Sequence, residues 1–121
     1  MNVAILGASP KPERYSNQAV NLLAEKGHAV FPVHPAVPEI DGHPVFKSLG
    51  DIPEAVDTVT MYVSPSHSTG MANAIIAAKP TRVIFNPGTE NPELEDKLAA
   101  AGIEVVKACT LVMLRTGQFG S

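Results

Sequence analysis

The chain has a single cysteine, Cys109, and no tryptophan in 121 residues, and only 5% of it is aromatic. One cysteine excludes an intrachain disulfide framework, and no Cys/His cluster has the spacing of a structural zinc site. Long apolar runs are missing too. No window approaches the roughly 20 residues that a bilayer-spanning helix needs. The opening stretch, Met1-Asn2-Val3-Ala4-Ile5-Leu6-Gly7, lacks the basic region and extended apolar segment of a signal peptide. Basic runs are absent and the formal net charge is −3, so the sequence shows no phosphate track for nucleic acid. These absences predict a reducing, cytoplasmic setting, with neither membrane nor nucleic acid as partner.

What the chain does have is proline and glycine, 11 and 9 residues respectively. With 45% hydrophobic and 17% charged residues, the composition is globular and excludes bulk disorder. The length predicts one domain over residues 1–121, able to bury roughly 60–70% of its unfolded surface without covalent staples.

Five apolar runs have the length and β-branched content of strands: residues 2–6, 29–33, 57–63, 82–85 and 103–106. Several are apolar nearly throughout, as in a parallel sheet covered on both faces. A short run at 45–46 suits a small edge strand. Helical spacing predicts helices over 16–26, 66–78 and 91–101. The first gathers Ala19, Leu22 and Leu23 and stops at Gly27. The second aligns Met71, Ala74, Ile75 and Ala78. The third opens with Asn91 as cap, Pro92 and acids in its first turn, and stops at Gly102. Residues 109–119 read either as a last strand or as a short helix. The alternation predicts an α/β fold: a doubly wound, mostly parallel sheet in three layers (αβα) with right-handed crossovers.

The prolines follow the strands. Pro10 and Pro12 come after the first, Pro35 after the second, Pro65 after the third and Pro87 after the fourth. In a parallel sheet these loops share the carboxyl edge, where α/β folds bind ligands at the point of strand-order reversal. Proline fixes φ. Four stiff loops on one edge predict a preformed ligand rim, with firm turns as the plainer reading.

The first of these loops carries the best local signal. Gly7 permits a tight turn and close backbone approach, and Ser9 and Ser16 offer hydroxyls. The N–H groups near Ser16 and Asn17 begin a helix, a position that favours phosphate. Lys11 and Arg14 add positive charge. The full G-x-G-x-x-G fingerprint is absent, so an ordinary βα turn competes. The second strand ends in Val33-His34-Pro35-Ala36, without the acid that an NAD site places there for the ribose diol. Glu39 and Asp41 lie well past it.

Taken in order, several segments resemble the small CoA-binding-domain family. They are Gly7-Ala8-Ser9, Ser16-Asn17, Gly27-His28 running into Pro32-Val33-His34-Pro35, Ile40-x-Gly42 and Asp57-x-Val59. Asn86-Pro87-Gly88-Thr89, Ala101-Gly102-Ile103 and Cys109 continue the set. That family is similar to the N-terminal CoA-binding domain of the succinyl-CoA synthetase α subunit, and the resemblance runs from Val3 to about Leu114. It implies a Rossmann-like fold that binds coenzyme A or an acyl-CoA. It further implies that Gly7, Ala8, Ser9 and Ser16 lie near the diphosphate, with Lys11 or Arg14 as charge partners. By the same resemblance His34 and Pro35 border the adenosine. Val63, Ser64 and Pro65 face the ligand at the switch point, and Asn86, Pro87 and Gly88 close the pantetheine side. Two departures stand out. The chain has no second domain to carry the synthetase's phosphorylated histidine, and no lysine at the tip of the second loop. Ligase activity is therefore not expected.

Of the histidines, His28, His34, His43 and His67, no two have the i, i+4 spacing of a zinc helix, and no metal site is predicted. Ser64 or Ser66 with His67 would make a nucleophile pair, but positions so close rarely reach the required geometry, and no G-x-S-x-G elbow is present. Cys109 reads either as a thiol partner for CoA in a mixed disulfide or as a small buried hydrophobe. Leu111-Val112-Met113-Leu114 suits core packing first and a homodimer patch second. The expectation is a stand-alone CoA binder, sensing or regulatory rather than catalytic. A small NAD(P)-dependent oxidoreductase and a noncatalytic nucleotide- or protein-binding domain are the alternatives.

Overall fold

The computed structural model describes residues 1–120. In chain order the elements are β1 (Asn2–Leu6), α1 (Tyr15–Glu25), β2 (Ala29–Val33), β3 (Glu39–Ile40), β4 (His43–Pro44), β5 (Thr58–Met61) and α2 (Pro65–Ser68). Then come α3 (Ala72–Ala78), β6 (Arg82–Phe85), α4 (Pro92–Ala100), β7 (Glu104–Lys107) and α5 (Thr110–Arg115). Two 3₁₀ turns lie at Leu49–Asp51 and Thr69–Met71. No helix among the described residues is long and apolar enough to cross a membrane.

The main sheet runs β2-β1-β5-β6-β7, parallel throughout. Alternation along β1 sends Val3 and Ile5 to one face and Ala4 and Leu6 to the other. The first pair packs with Val20, Leu23, Leu114 and Phe119. The second packs with Met61, Ile75, Phe85, Leu94 and Leu98. Two cores thus sit on opposite faces of one sheet, which is the doubly wound, three-layer arrangement expected.

The short run at 45–46 is a rudimentary sixth strand. Phe46 bridges Val33 in parallel. The Phe46 N–H donates to the Pro32 carbonyl at 2.9 Å, and the His34 N–H donates to the Phe46 carbonyl at 3.0 Å. Pro32 is tolerated in β2 because its missing N–H faces this outer edge, where only one bridge forms. With that bridge counted, the strand order becomes the 3-2-1-4-5-6 of dinucleotide-binding sheets.

Three strands have the bounds the sequence predicts, and two shift. The run 103–106 becomes β7 (Glu104–Lys107) because the Ile103 N–H turns back to the Leu98 carbonyl at 3.0 Å. Gly102 at φ +84° and its N–H to the Ala99 carbonyl complete a Schellman ending of α4. Gly27 and His28 end α1 in the same way, on Ala24 and Leu23. The run 57–63 shortens to Thr58–Met61. The single helix expected over 66–78 is broken into α2, a 3₁₀ turn and α3. There the Ser68 and Thr69 hydroxyls bond back to the Pro65 carbonyl, at 3.4 and 3.0 Å, and compete with the helix ladder. The ambiguous C-terminal segment is a helix, α5, with Leu111 and Leu114 buried and Val112 54% exposed.

Candidate functional site

Gly7 ends β1 with φ +85°, and a Cβ there would stand 2.6 Å from the carbonyl oxygen of Tyr62. The loop after β1 therefore crosses directly over the end of β5, which is the switch point of the sheet. Only glycine permits both the conformation and the approach. Ala8 then drops into the core and spends its N–H on the Val33 carbonyl at 3.3 Å. Ser9 turns the chain by accepting the Lys11 N–H on its hydroxyl at 3.1 Å.

Gly7, Ser9, Lys11, Arg14, Ser16 and His34 line one cleft of about 440 Å³, together with Pro10, Tyr15 and Tyr62. The N-cap of α1, Arg14, supplies no side-chain acceptor. The first-turn N–H groups of α1 thus stand at the cleft that Tyr15 and Ser16 border. His34 Nδ1 accepts the Ala36 and Val37 N–H groups at 3.0 and 3.2 Å. Its Nε2 then carries the ring hydrogen and is the donor it presents.

Asn86, Pro87 and Cys109 line a second cleft of about 390 Å³ with Leu111 and Arg115. Tyr15 and Tyr62 border both clefts, which therefore adjoin and together form one groove-like surface. Its floor is rigid. Buried Asn86 donates to the Thr60 hydroxyl at 2.7 Å and the Met61 carbonyl at 2.8 Å, and accepts the Thr110 N–H at 2.8 Å. The Thr60 and Thr110 hydroxyls are 2.8 Å apart and bond each other. Beside them the Tyr62 hydroxyl is buried without a hydrogen-bond partner. Loss of water pushes its pKa up to about 12, with the nearby Cys109 sulfur adding to the rise; the Thr110 and Thr60 hydroxyls oppose it from outside hydrogen-bond geometry. It is a neutral phenol throughout the physiological range.

Other predicted residues stand outside the groove lining. Val63 packs into the core on the opposite face. Asn17 is buried and donates to the Ser9 carbonyl at 2.9 Å, so it braces the loop from behind. Gly88 gives its N–H to the Glu90 carboxylate at 2.8 Å. Pro35 is exposed and shapes the turn that holds His34. Ser64 and Pro65 are exposed on the rim. Ser64 does bond His67 Nδ1 at 2.8 Å, which corrects the expectation that so short a spacing misses hydrogen-bond geometry. The turn of α2 brings i and i+3 together.

The sequence missed Tyr15, Tyr62, Leu111 and Arg115. Tyr62 lay inside a strand predicted two residues too long. Leu111 and Arg115 join the groove only because α5 is a helix.

The CoA binding domain profile matches residues 1–115. This chain belongs to the CoA-binding-domain family. Among solved structures, an uncharacterized protein has a TM-score of 0.91 and 46% identity, covering 98% of this chain and 97% of its own. A hypothetical protein from Pyrococcus horikoshii OT3 gives 0.90 and 32%, covering 98% and 83%. A dinucleotide-forming acetyl-coenzyme A synthetase from Ca. Korarchaeum cryptofilum, solved with phosphate and ADP, gives 0.77 at 22% identity. It covers 88% of this chain and 25% of the synthetase, so the likeness is one of fold. In this CoA-binding-domain chain, the cationic cleft of the first loop adjoins an apolar cleft bearing the lone thiol.

Proposed function

We propose that this chain binds coenzyme A or an acyl-CoA along the joined groove and serves as a sensor or regulator rather than a catalyst. The observation that carries the reading is that the cationic and the apolar cleft share Tyr15 and Tyr62 and so lie side by side. CoA is long, anionic at one end and neutral along its pantetheine arm. Lys11, Arg14 and the α1 N-terminus suit the diphosphate. The cleft of Pro87, Leu111 and Cys109 suits the arm, with its thiol toward Cys109. His34 replaces the acid that a ribose diol would want, which favours CoA over NAD. The noncatalytic reading is supported by the polar groups at the floor. Asn86, Thr60 and Thr110 spend their bonds on one another, which makes a support for a ligand.

A thermal-shift panel with CoA, acetyl-CoA, NAD, NADP and ATP tests this. Binding to the folded state raises Tm as ligand concentration exceeds Kd. CoA and acetyl-CoA are expected to stabilise the chain. A shift with NAD and none with millimolar CoA would overturn the reading.

A further inference from the structure

The groove is lined by Lys11, Arg14 and Arg115 and by no aspartate or glutamate. The whole chain has 12 acidic residues against 9 basic ones, so the groove carries the sign opposite to the chain's net charge. Lys11 and Arg14 stand at the loop end, where the diphosphate uses them. Arg115 borders the second cleft, with Cys109 and Leu111. It is exposed and forms no ion pair among the described residues.

Helix geometry aims this cation. Cys109 is the N-cap of α5 and Arg115 its last residue, a rise of about 9 Å. Side chains on a helix lean toward its N-terminus, and Leu111 and Arg115 are i, i+4 neighbours on one face. The guanidinium therefore reaches back over Leu111 toward Cys109. A helix C-terminus favours any cation, but that leaves unexplained why this one borders the apolar end of a ligand groove. The guanidinium is a rigid planar fork that matches a carboxylate with two parallel bonds.

We propose that Arg115 is a specificity residue for an acyl-CoA whose acyl group ends in a carboxylate, the half-thioesters of dicarboxylic acids. The inference rests on the CoA reading of the groove. With the thiol toward Cys109, an acyl group continues along α5 and its far end meets Arg115. A neutral chain of the same length leaves the guanidinium without a partner.

Calorimetric titration with CoA, butyryl-CoA and succinyl-CoA tests this, since the two acyl groups share four carbons and differ in the terminal carboxylate. The unaltered protein should bind succinyl-CoA roughly two- to fivefold tighter than butyryl-CoA. Arg115→Met should bring the two acyl-CoAs to parity, and Arg115→Lys should recover part of the preference. Equal affinities in the unaltered protein would overturn the proposal. So would an Arg115→Met variant that loses affinity for all three ligands alike, because Arg115 would then hold the part they share. If CoA itself fails to bind, the CoA reading falls first. Because Arg115 is exposed, an unchanged Tm in Arg115→Met separates a ligand effect from misfolding.

Discussion

Asp41 accepts a hydrogen bond from the buried Asn17 side chain at 2.9 Å, while the same Asn17 amide donates to the Ser9 carbonyl at 2.9 Å. Asn21 adds a second bond to the same Asp41 oxygen, also at 2.9 Å. Asp41 (φ 49°) and Gly42 (φ 86°) form the two-residue turn between β3 and β4, the Asp-Gly pairing that such hairpins favour. A hairpin remote from the groove in sequence thus fastens the loop that lines it. Donation from Asn21 and then Asn17 holds the Asp41 carboxyl below its usual 3.8. A depressed folded pKa contributes stability at neutral pH that is lost as pH falls through the folded value. Asp41→Ala should therefore lower Tm at pH 7, and the gap to the unaltered protein should narrow below about pH 4. Thermal melts across pH 7 to 3 measure it. A gap that stays constant to pH 3 would remove the carboxylate from the account. Weaker CoA binding in the variant would show that the fastening reaches Ser9.

Gly7 and Gly27 both have positive φ, +85° and +91°, yet they differ in surroundings. A Cβ at Gly7 meets the Tyr62 backbone at 2.6 and 2.8 Å, whereas one at Gly27 meets nothing within 4 Å. Gly27→Ala should cost only the left-handed strain, about 1–2 kcal/mol. Gly7→Ala adds a clash with backbone that cannot swing aside, for a total of about 2–5 kcal/mol. Urea unfolding of the two variants separates strain from contact. Equal losses would mean that the crossing over β5 has room to spare.

Much of this site was legible because strand, turn and helix-stop signals are local. The run of β1 into Gly7, the cap at Asn91 and the stops at Gly27 and Gly102 each act within a few residues. They place the loops on one edge, and with them Ser9, Lys11, Arg14, His34 and Asn86. What stayed hidden depends on partners distant in the chain. Asn17 looks like part of a phosphate-binding helix start until Asp41 is seen beyond it, 24 residues away. Val63 reads as rim only if the strand continues, and its side chain in fact faces the other core. Tyr62 is apolar enough to pass for core. Its place between the clefts is set by the crossing of Gly7.

The Tyr62 hydroxyl has no partner although it is buried. Leaving such a group unpaired costs about 1–3 kcal/mol. Tyr62→Phe removes only that oxygen, so it should be neutral or raise stability by up to about 2 kcal/mol. The pH dependence gives a separate reading. The folded pKa is raised from 10.0 to about 12 by burial, so the unfolded chain loses its phenolic proton first. Between these values the folded state holds more protons, and stability falls as pH rises. A shift of this size corresponds to about 3 kcal/mol, spent between pH 10 and 12. Unfolding curves at pH 8, 10 and 11 should therefore converge on a larger advantage for Tyr62→Phe as pH increases. If the variant loses more than about 1 kcal/mol at pH 7, beyond the range for removing an unpaired group, the hydroxyl has a partner, and the junction of the two clefts is polar rather than dry.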